Sequence, residues 1–412
     1  MEKHQLPIAI IGAGPVGLVT AAHLLAKGMT PLIFESGSKA GANVELWAHV
    51  KMFSPWQSNV DGLAAQLLSA EGWISPPENE YPNGRQLLDG FVQPLANSAQ
   101  IHSHLRLNTR VLAATRFGHD AMKTQGRSQA PFLLRVAGPA GNEDVLACAV
   151  IDASGTYQTP NWMGAHGIPA LGEAEHAAHI AYSTPAVLGR DRNRYANKRV
   201  LVVGGGHSAL NALQDMVRLA QDASQTKVLW AIRGDSAEGS LGSANDPLEQ
   251  RGKLGLRIRQ FLDEGRIELF TNVAIDQVIG NSKGLTVKAG EQVLPTIDEL
   301  IVATGFRPDL SVLTELRTAV DPATQSAMLL APLIDPNQHS CGTVRLHGAE
   351  ELVHPEENFF IVGMKSYGRA PTFLLKTGYE QVRSVVEALE HSLNVTKRAE
   401  LTLPESDLCN VD

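Results

Sequence analysis

Cysteine is scarce: the 412 residues carry three, Cys148, Cys341 and Cys409, far apart in the chain and without a single Cys-x-x-Cys pair. That scarcity argues against a disulfide framework and against the dithiol relay of a disulfide-exchanging enzyme. Metal-ligand spacings of the His-Glu-x-x-His kind are missing, and the single histidines His347 and His354 read as solvated or core residues, not ligands. No metal is expected. No run of Lys or Arg interrupts a chain whose formal net charge is -8, which argues against a nucleic-acid or anionic-membrane partner. Long apolar runs are scarce too. Residues 7–26 approach the length of a membrane span, but their three glycines and two prolines fall on a turn pattern, so the stretch reads as a strand followed by a helix. The final Cys409-Asn410-Val411-Asp412 lacks the aliphatic positions of a prenylation box. A cytoplasmic address is the expectation.

What is present is a glycine-rich strand-to-helix turn, twice: Gly12-Ala13-Gly14-Pro15-Val16-Gly17 and Gly204-Gly205-Gly206-His207-Ser208-Ala209. The first follows the apolar run 8–11 and opens a helical stretch from residue 18; a second apolar run, 31–34, ends in Glu35. In such a turn Gly12 allows the tight bend, Gly14 lets the backbone approach a pyrophosphate, and Gly17 lets the helix close on the strand, with the helix N-terminus facing the anion. Glu35 would accept ribose hydroxyls and repel a 2′-phosphate, which points to FAD or NAD at this turn. The second turn follows the run 199–203 and opens a helix over 209–219, and its next strand, 227–232, ends in Arg233. A guanidinium at that position suits a 2′-phosphate, so NADPH is expected there, with Ala209 an accepted variant of the last glycine.

The remaining chain organises around the two turns, and its length predicts two or three domains with a large core. A Pro-, Gly- and Asn-rich loop over 71–85 precedes a helix expected over 86–98 and a strand over 105–113. Residues 147–156 and 299–309 each read as a buried strand running into small residues, Ala153-Ser154-Gly155 and Ala303-Thr304-Gly305, where a bulky side chain would block close passage beside a nucleotide. A last strand over 358–363 and a helix over 373–389, opened by Pro371-Thr372, complete the pattern. If that helix end points at a flavin ring, its dipole would stabilise negative charge on the reduced ring.

In combination, GAGPVG, Glu35, DASGT at 152–156, GGGHSA, ATGFRPD at 303–309 and the final strand-loop-helix resemble the two-dinucleotide-binding-domain flavoproteins across nearly the whole chain. The resemblance implies an α/β fold of two Rossmann-like domains, glutathione-reductase-like or flavin-monooxygenase-like. The NADPH domain (166–305) would be inserted in a FAD domain (1–165 and 306–412). It implies FAD contacts at Gly12, Gly14, Pro15, Val16, Gly17, Glu35, Ser36, Val111, Ala153, Ser154, Gly155, Gly363 and Thr372. NADPH contacts would fall at Gly204, Gly206, His207, Ser208, Ala209, Arg233, Ala303, Thr304 and Gly305. Within that group the chain is most similar to NADPH-dependent flavin monooxygenases of the flavin-containing and N-hydroxylating kinds. GGGHSA fits their GxGxS(G/A) turn and ATGF their ATG(Y/F) segment. Their FxGxxxHxxx(W/D/Y) stretch is not kept: with its His set on His179, Glu173 and Glu175 stand where Phe and Gly belong, so Baeyer-Villiger chemistry is unsupported.

Segments 47–56, 339–345 and 363–372 resemble flavoproteins of bacterial arsenic-resistance clusters, which are thought to oxidise trivalent arsenicals or antimonite. That likeness implies pocket residues Trp47, His49, Lys51 and Lys365, with Cys341 as the thiol nearest a soft metalloid. The expected chemistry is hydride transfer from NADPH to FAD and oxygen uptake as a C4a-hydroperoxide. One oxygen atom from molecular oxygen would then pass to a small soft nucleophile. A flavin reductase serving a protein or quinone, and a non-enzymatic redox sensor, are the alternatives, since fold alone does not decide activity. The sequence leaves the oligomeric state open.

Overall fold

A computed structural model describes residues 6–242, 248–337 and 347–399, with side chains up to residue 393. The predicted first run forms the strand Ile8–Ile11, buried along its whole length. It lies at the centre of a five-stranded parallel sheet ordered Phe359–Ile361, Ala149–Asp152, Ile8–Ile11, Pro31–Phe34 and Leu105–Arg106. A central strand covered on both faces reads as a continuous apolar run, and the alternation of its side chains assigns each face. Ile8 and Ile10 point into a helical layer with Leu18 of the helix Pro15–Ala26 and Val382 of the helix Leu375–Ala399. Ala9 and Ile11 point the other way, against Phe132, Leu134 and Val136 of an antiparallel ribbon, Arg110–Arg116, Phe132–Gly138 and Gly141–Ala147.

The second unit repeats this plan. Its parallel sheet runs Glu268–Phe270, Lys227–Ala231, Arg199–Val203, Glu299–Val302 and Ile180–Tyr182. Val200 and Val202 face the helices His207–Asp222 and Glu249–Asp263. Leu201 and Val203 face a second small ribbon through Val278 and Val287. All five strands of this sheet fall between residues 180 and 302, and only then does the chain return to place Phe359–Ile361 at the edge of the first sheet. The fold is therefore two Rossmann-like α/β units, as expected. No helix among the described residues is long and apolar enough to cross a membrane.

Three local expectations change. The strand expected over 105–113 is two strands in different sheets, broken at Asn108, whose φ of 51° turns the chain, while the Thr109 amide donates to the Glu35 carbonyl. The helix expected over 86–98 starts at Gly84 behind an Asn83–Gln86 capping box and passes through a π turn, Leu88–Val92, before Gln93–Asn97. The last helix begins at Leu375, so Pro371 and Thr372 lie in the loop before it and do not cap it.

The two linkers between the units are tied to each other. Asn161 donates its amide to the Gly305 carbonyl and Arg307 to that of Thr159, both at 2.9 Å. Tyr157 stacks on Phe306 at 5.0 Å. On the far side, a buried charge cluster joins the ribbon to the returning chain. Both oxygens of Glu356 are taken, by Arg116 Nε at 2.7 Å and Arg127 Nη2 at 2.7 Å, and the Arg317 amide adds a bond at 3.0 Å. Arg116 also lies 3.6 Å from the Phe132 ring centroid.

Burial alone would raise the Glu356 carboxyl, but bonds from Arg127, Arg317 and Arg116 outweigh it and hold the group below its ordinary value. Burial pulls the Arg116 guanidinium downward, yet a guanidinium stays charged at any accessible pH. Glu356→Ala should leave two buried guanidinium groups facing each other and cost about 3 to 5 kcal/mol, read as a lowered denaturation midpoint at pH 7. A depressed carboxyl contributes above its unfolded value of about 4.3 and loses that contribution as pH falls through the folded one. The gap between wild type and variant should therefore close below about pH 4; a gap unchanged down to pH 3 would show that packing, not charge, is what the mutation removes.

Candidate nucleotide sites and the cavity between the units

At the first turn the three glycines do different work. Gly12 has φ of 99°, and a Cβ there would stand 2.9 Å from the Ser154 Cα. A Cβ on Gly17 would stand 2.0 Å from the Gly12 carbonyl oxygen, so these two positions are set by backbone packing. Gly14 is different: it is extended, and a Cβ would meet nothing within 4 Å. The helix that starts beside it has no side-chain cap and no acidic residue in its first turn, with Pro15 at its start. Its first amides are thus free to receive an anion over the open face of Gly14.

Glu35, buried at the end of Pro31–Phe34, lies across the turn from that face. Its Oε2 accepts the Ala13 amide at 2.9 Å and its Oε1 the Gly37 amide at 2.7 Å. Each carboxylate oxygen keeps further acceptor capacity for a hydroxyl. Ser36 next to it is exposed. Gly155 has φ of 73° with open space over it, and Gly363 has φ of 70° with its missing Cβ 3.2 Å from Val16. The hydroxyl oxygen of Thr372 is shielded from solvent without a hydrogen-bond partner among the described residues. Open backbone, an uncapped helix end, a fixed carboxylate and an orphaned hydroxyl suit a dinucleotide with ribose and pyrophosphate. Val111, by contrast, is a core residue whose side chain packs under the first sheet at a β-bulge.

Lys365 is corrected by the structure. Expected to line a substrate pocket, it is buried, its ammonium donating to Asp152 Oδ2 at 2.6 Å and to Ser154 Oγ at 3.1 Å. Asp152 Oδ1 in turn accepts the Ser154 hydroxyl at 2.7 Å and the Ser154 amide at 3.0 Å. Lys365 and Asp152 therefore fix the small-residue turn that Gly12 packs against. Trp47 is likewise committed to packing, with its ring 2.8 Å from where a Cβ on Gly84 would sit.

The second turn has the same division. Gly204, with φ of 124°, abuts the Ala303 carbonyl, 2.3 Å from where its Cβ would be, and its own carbonyl accepts from Trp230 Nε1 at 2.8 Å. Gly206 is open, and the helix it precedes has neither a side-chain cap nor an acidic first turn. Ala209 is fully buried and Ser208 half-buried. Arg233 is exposed at the end of Lys227–Ala231, without an ion-pair partner among the described residues. Thr304 turns its hydroxyl to the Asn161 carbonyl at 2.8 Å, into the linker and away from the turn. The stretch that departs from the monooxygenase pattern has its own role: buried Glu173 accepts the Met163 and Ala170 amides, both at 2.7 Å, and the Tyr182 hydroxyl at 2.5 Å.

His49 and Lys51 line a partly open cavity of about 260 Å³ between the 49–53 segment and the helices His207–Asp222 and Glu249–Asp263. Phe53 from this segment packs on the core of the second unit and meets the His207 ring edge-on at 5.3 Å. Of the five expected pocket residues, then, two share a cavity, two are packed elsewhere, and Cys341 lies outside the described residues, as does Cys409. Asp215 on the cavity wall has its carboxyl pushed up to about 6 by burial, with Arg218 at 3.6 Å pulling it back. Sequence reading missed Asp152, Asn161 and Gln381. Gln381 is fully buried, accepts the Gly363 amide at 2.8 Å and bonds Ser366. A lone amide among the apolar positions Tyr379, Val382 and Val385 was the available signal.

Residues 139–340 match the family described as pyridine nucleotide-disulphide oxidoreductase, and residues 10–88 match the NAD(P)-binding Rossmann-like domain. Among curated proteins the chain is 23% identical to the flavin-containing monooxygenase FMO GS-OX3 of Arabidopsis thaliana. That match covers 54% of this chain and 48% of the relative, so the chain spans about half the length of that protein. It is also 23% identical to the bacilliredoxin reductase Bdr of Bacillus subtilis, over 76% of this chain and 81% of the relative. Among solved structures, bacillithiol disulfide reductase Bdr from Bacillus cereus superposes with a TM-score of 0.70 at 19% identity, covering 94% of this chain and 99% of that one. The FAD-bound cadaverine monooxygenase DfoA from Erwinia amylovora superposes with a TM-score of 0.63 at 14% identity, covering 93% and 94%. At such identities the structural likeness speaks for the fold.

The glycine geometry gives a direct test. Gly14→Ala should leave the flavin-free protein as stable as wild type but lower its FAD occupancy, because the new methyl group enters only the open face. Gly17→Ala should destabilise the fold itself, flavin or no flavin. Equal thermal midpoints for the two flavin-free variants would overturn this division. With two Rossmann-like units and two nucleotide turns, the chain carries FAD- and NAD(P)-binding domains and is similar to flavoprotein oxidoreductases, among which are both monooxygenases and disulfide reductases.

Proposed function

We propose that the protein is an NADPH-dependent FAD monooxygenase that uses molecular oxygen to oxygenate a small soft nucleophile at nitrogen, sulfur or a trivalent metalloid. The observation that carries this reading is the thiol inventory. These 412 residues have no Cys-x-x-Cys pair, and Cys148 is buried at the first sheet with its thiol directed at the Pro7 carbonyl. A reductase working through a dithiol needs a second sulfur beside the first. A monooxygenase needs none.

When bound, FAD supplies both the hydride acceptor and the oxygen-activating centre. The chain's part is to bind, orient and shield. Glu35 and the open face at Gly14 would hold the adenosine and pyrophosphate of FAD, with Thr372 offering its unpartnered hydroxyl. Gly206 and the uncapped start of His207–Asp222 would hold the nicotinamide dinucleotide, and Arg233 would take its 2′-phosphate. Packing of Phe53 on His207 and on the core of the second unit would hold the 49–53 segment against that unit. An arsenical or antimonite substrate, with Cys341 near it, is one case within this reading. Electron transfer to a protein or quinone without oxygen insertion is the second reading, and the likeness to bacilliredoxin reductase and bacillithiol disulfide reductase favours it.

NADPH should outcompete NADH, and Arg233→Ala should narrow that preference by raising the KM for NADPH. Loss of one charge-assisted contact corresponds to about 1.5 to 3 kcal/mol. An undiminished preference would place the 2′-phosphate on another cation. Oxygen chemistry is tested by supplying labelled oxygen gas with an amine, a thioether or a trivalent arsenical and following NADPH consumption. Label recovered in a product supports the monooxygenase; steady turnover with a quinone or a disulfide protein and no label in any product supports the reductase.

A further inference from the structure

The cavity lined by His49 and Lys51 has walls that neither nucleotide turn explains. On the helix His207–Asp222, residues 214, 215 and 218 share the face turned away from the sheet, and on Glu249–Asp263 residues 253 and 257 share another. Where two helices and a loop meet, such stripes are ordinarily apolar and interdigitate. Here they carry Arg218, Lys253 and Arg257, joined by Lys51 from the first unit, and a cavity of about 260 Å³ is left between them.

The charge around this space is unbalanced. Among the described residues four cations face it and one carboxylate, Asp215, in a chain whose overall charge is -8. Their partners are weak. Arg257 donates to the neutral amide oxygen of Gln214 at 2.6 Å. Lys51 pairs with no carboxylate among the described residues and lies 5.9 Å from the Tyr81 ring centroid. Lys253 has only Glu249 on its own helix, an exposed pair that neutralises little. Arg218 and Asp215 are 3.6 Å apart. All four cations are exposed and free to turn toward an anion, and guanidinium forks from two helices suit bidentate contact with an oxyanion.

We propose that this cavity binds a small oxyanion of the carboxylate, phosphate or sulfate class, held by Lys51 of the first unit and Arg218, Lys253 and Arg257 of the second. The site is separate from both nucleotide turns. The cavity residues of His207–Asp222 lie one to three helical turns beyond Gly206, roughly 8 to 18 Å along the axis at about 1.5 Å per residue. The site does not depend on whether the flavin serves an oxygenase or a reductase. Because its walls come from both units, an occupant would bridge them.

The test is isothermal titration of the FAD-loaded protein with sodium phosphate, sodium sulfate and sodium succinate, each at an ionic strength fixed with chloride. Saturable one-to-one binding is expected for at least one probe; phosphate or sulfate without succinate identifies an inorganic oxyanion, and the reverse identifies an organic acid. The double variant Arg218→Met, Arg257→Met should weaken that binding at least tenfold, and Lys51→Met, on the opposite wall, should weaken it severalfold. Asp215→Asn should tighten it, because it removes the only carboxylate on the wall among the described residues. That opposite sign is not produced by general damage to the fold, and it remains readable if the double variant does not fold. No saturable heat with any probe, displacement of the bound anion by 2′,5′-ADP, or an unchanged Kd in both Lys51→Met and Asp215→Asn would overturn the proposal.

Discussion

Both halves of the molecule depend on one constraint, the contact of backbone with backbone at the carboxyl edges of two parallel sheets. Gly12 meets the Ala153-Ser154 turn and Gly204 meets Ala303, in each case at a distance that excludes any Cβ. Positive φ at Gly12 and Gly204 makes this approach possible. The approach in turn brings each helix start to the strand ends, where a dinucleotide lies in such folds. Lose the approach, and the helix N-terminus, the open glycine face and the ribose-binding position no longer share one crevice.

This constraint also explains what was legible in the sequence. Glycine spacing, flanking apolar runs and a charged residue at the next strand end are local signals, so both turns were readable one by one, with Glu35 and Arg233 placed just after the strands that follow them. Continuous apolar strands declared a sheet covered on both faces, and Ile8 and Ile10 against Ala9 and Ile11 show that cover to be two different layers. The break at Asn108 was not legible, because a single left-handed residue separates two strands of similar composition. The burial of Lys365, which the family likeness placed at a pocket, was not legible for a related reason: the Asp152 and Ser154 that satisfy its ammonium lie 213 and 211 residues away. Long-range polar pairs such as Asn161 with Thr304, or Gln381 with Gly363, leave no periodic trace.

The linkers add a dynamic consequence. Two strands crossing between units make a hinge when each moves alone, but here reciprocal amide bonds and the Tyr157–Phe306 stack join them into one ribbon. Asn161 spans that ribbon, its side chain donating to the Thr304 carbonyl and accepting from Arg307 Nε at 2.9 Å. Any rotation of one unit on the other must therefore carry both linkers together. It must also slide Phe53 off the core of the second unit. The 49–53 segment is thus a second point of contact, and it bounds the same cavity as the two helices.

The buried pair of Lys365 and Asp152 is best understood in this setting. An isolated ion pair in a core is weak support for stability, since desolvation offsets most of the Coulomb attraction. An apolar pair of similar size would fill the space as well. What an apolar pair would not do is hold Ser154 by hydroxyl and amide at once, as Asp152 does while Lys365 satisfies its other oxygen. The turn from 152 to 155 is too rich in small residues to be fixed by packing, and it must keep one shape for Gly12 to lie against it. The charge pair supplies directional bonds where side-chain volume is forbidden. Its value lies in the geometry of the first nucleotide turn more than in the free energy of folding.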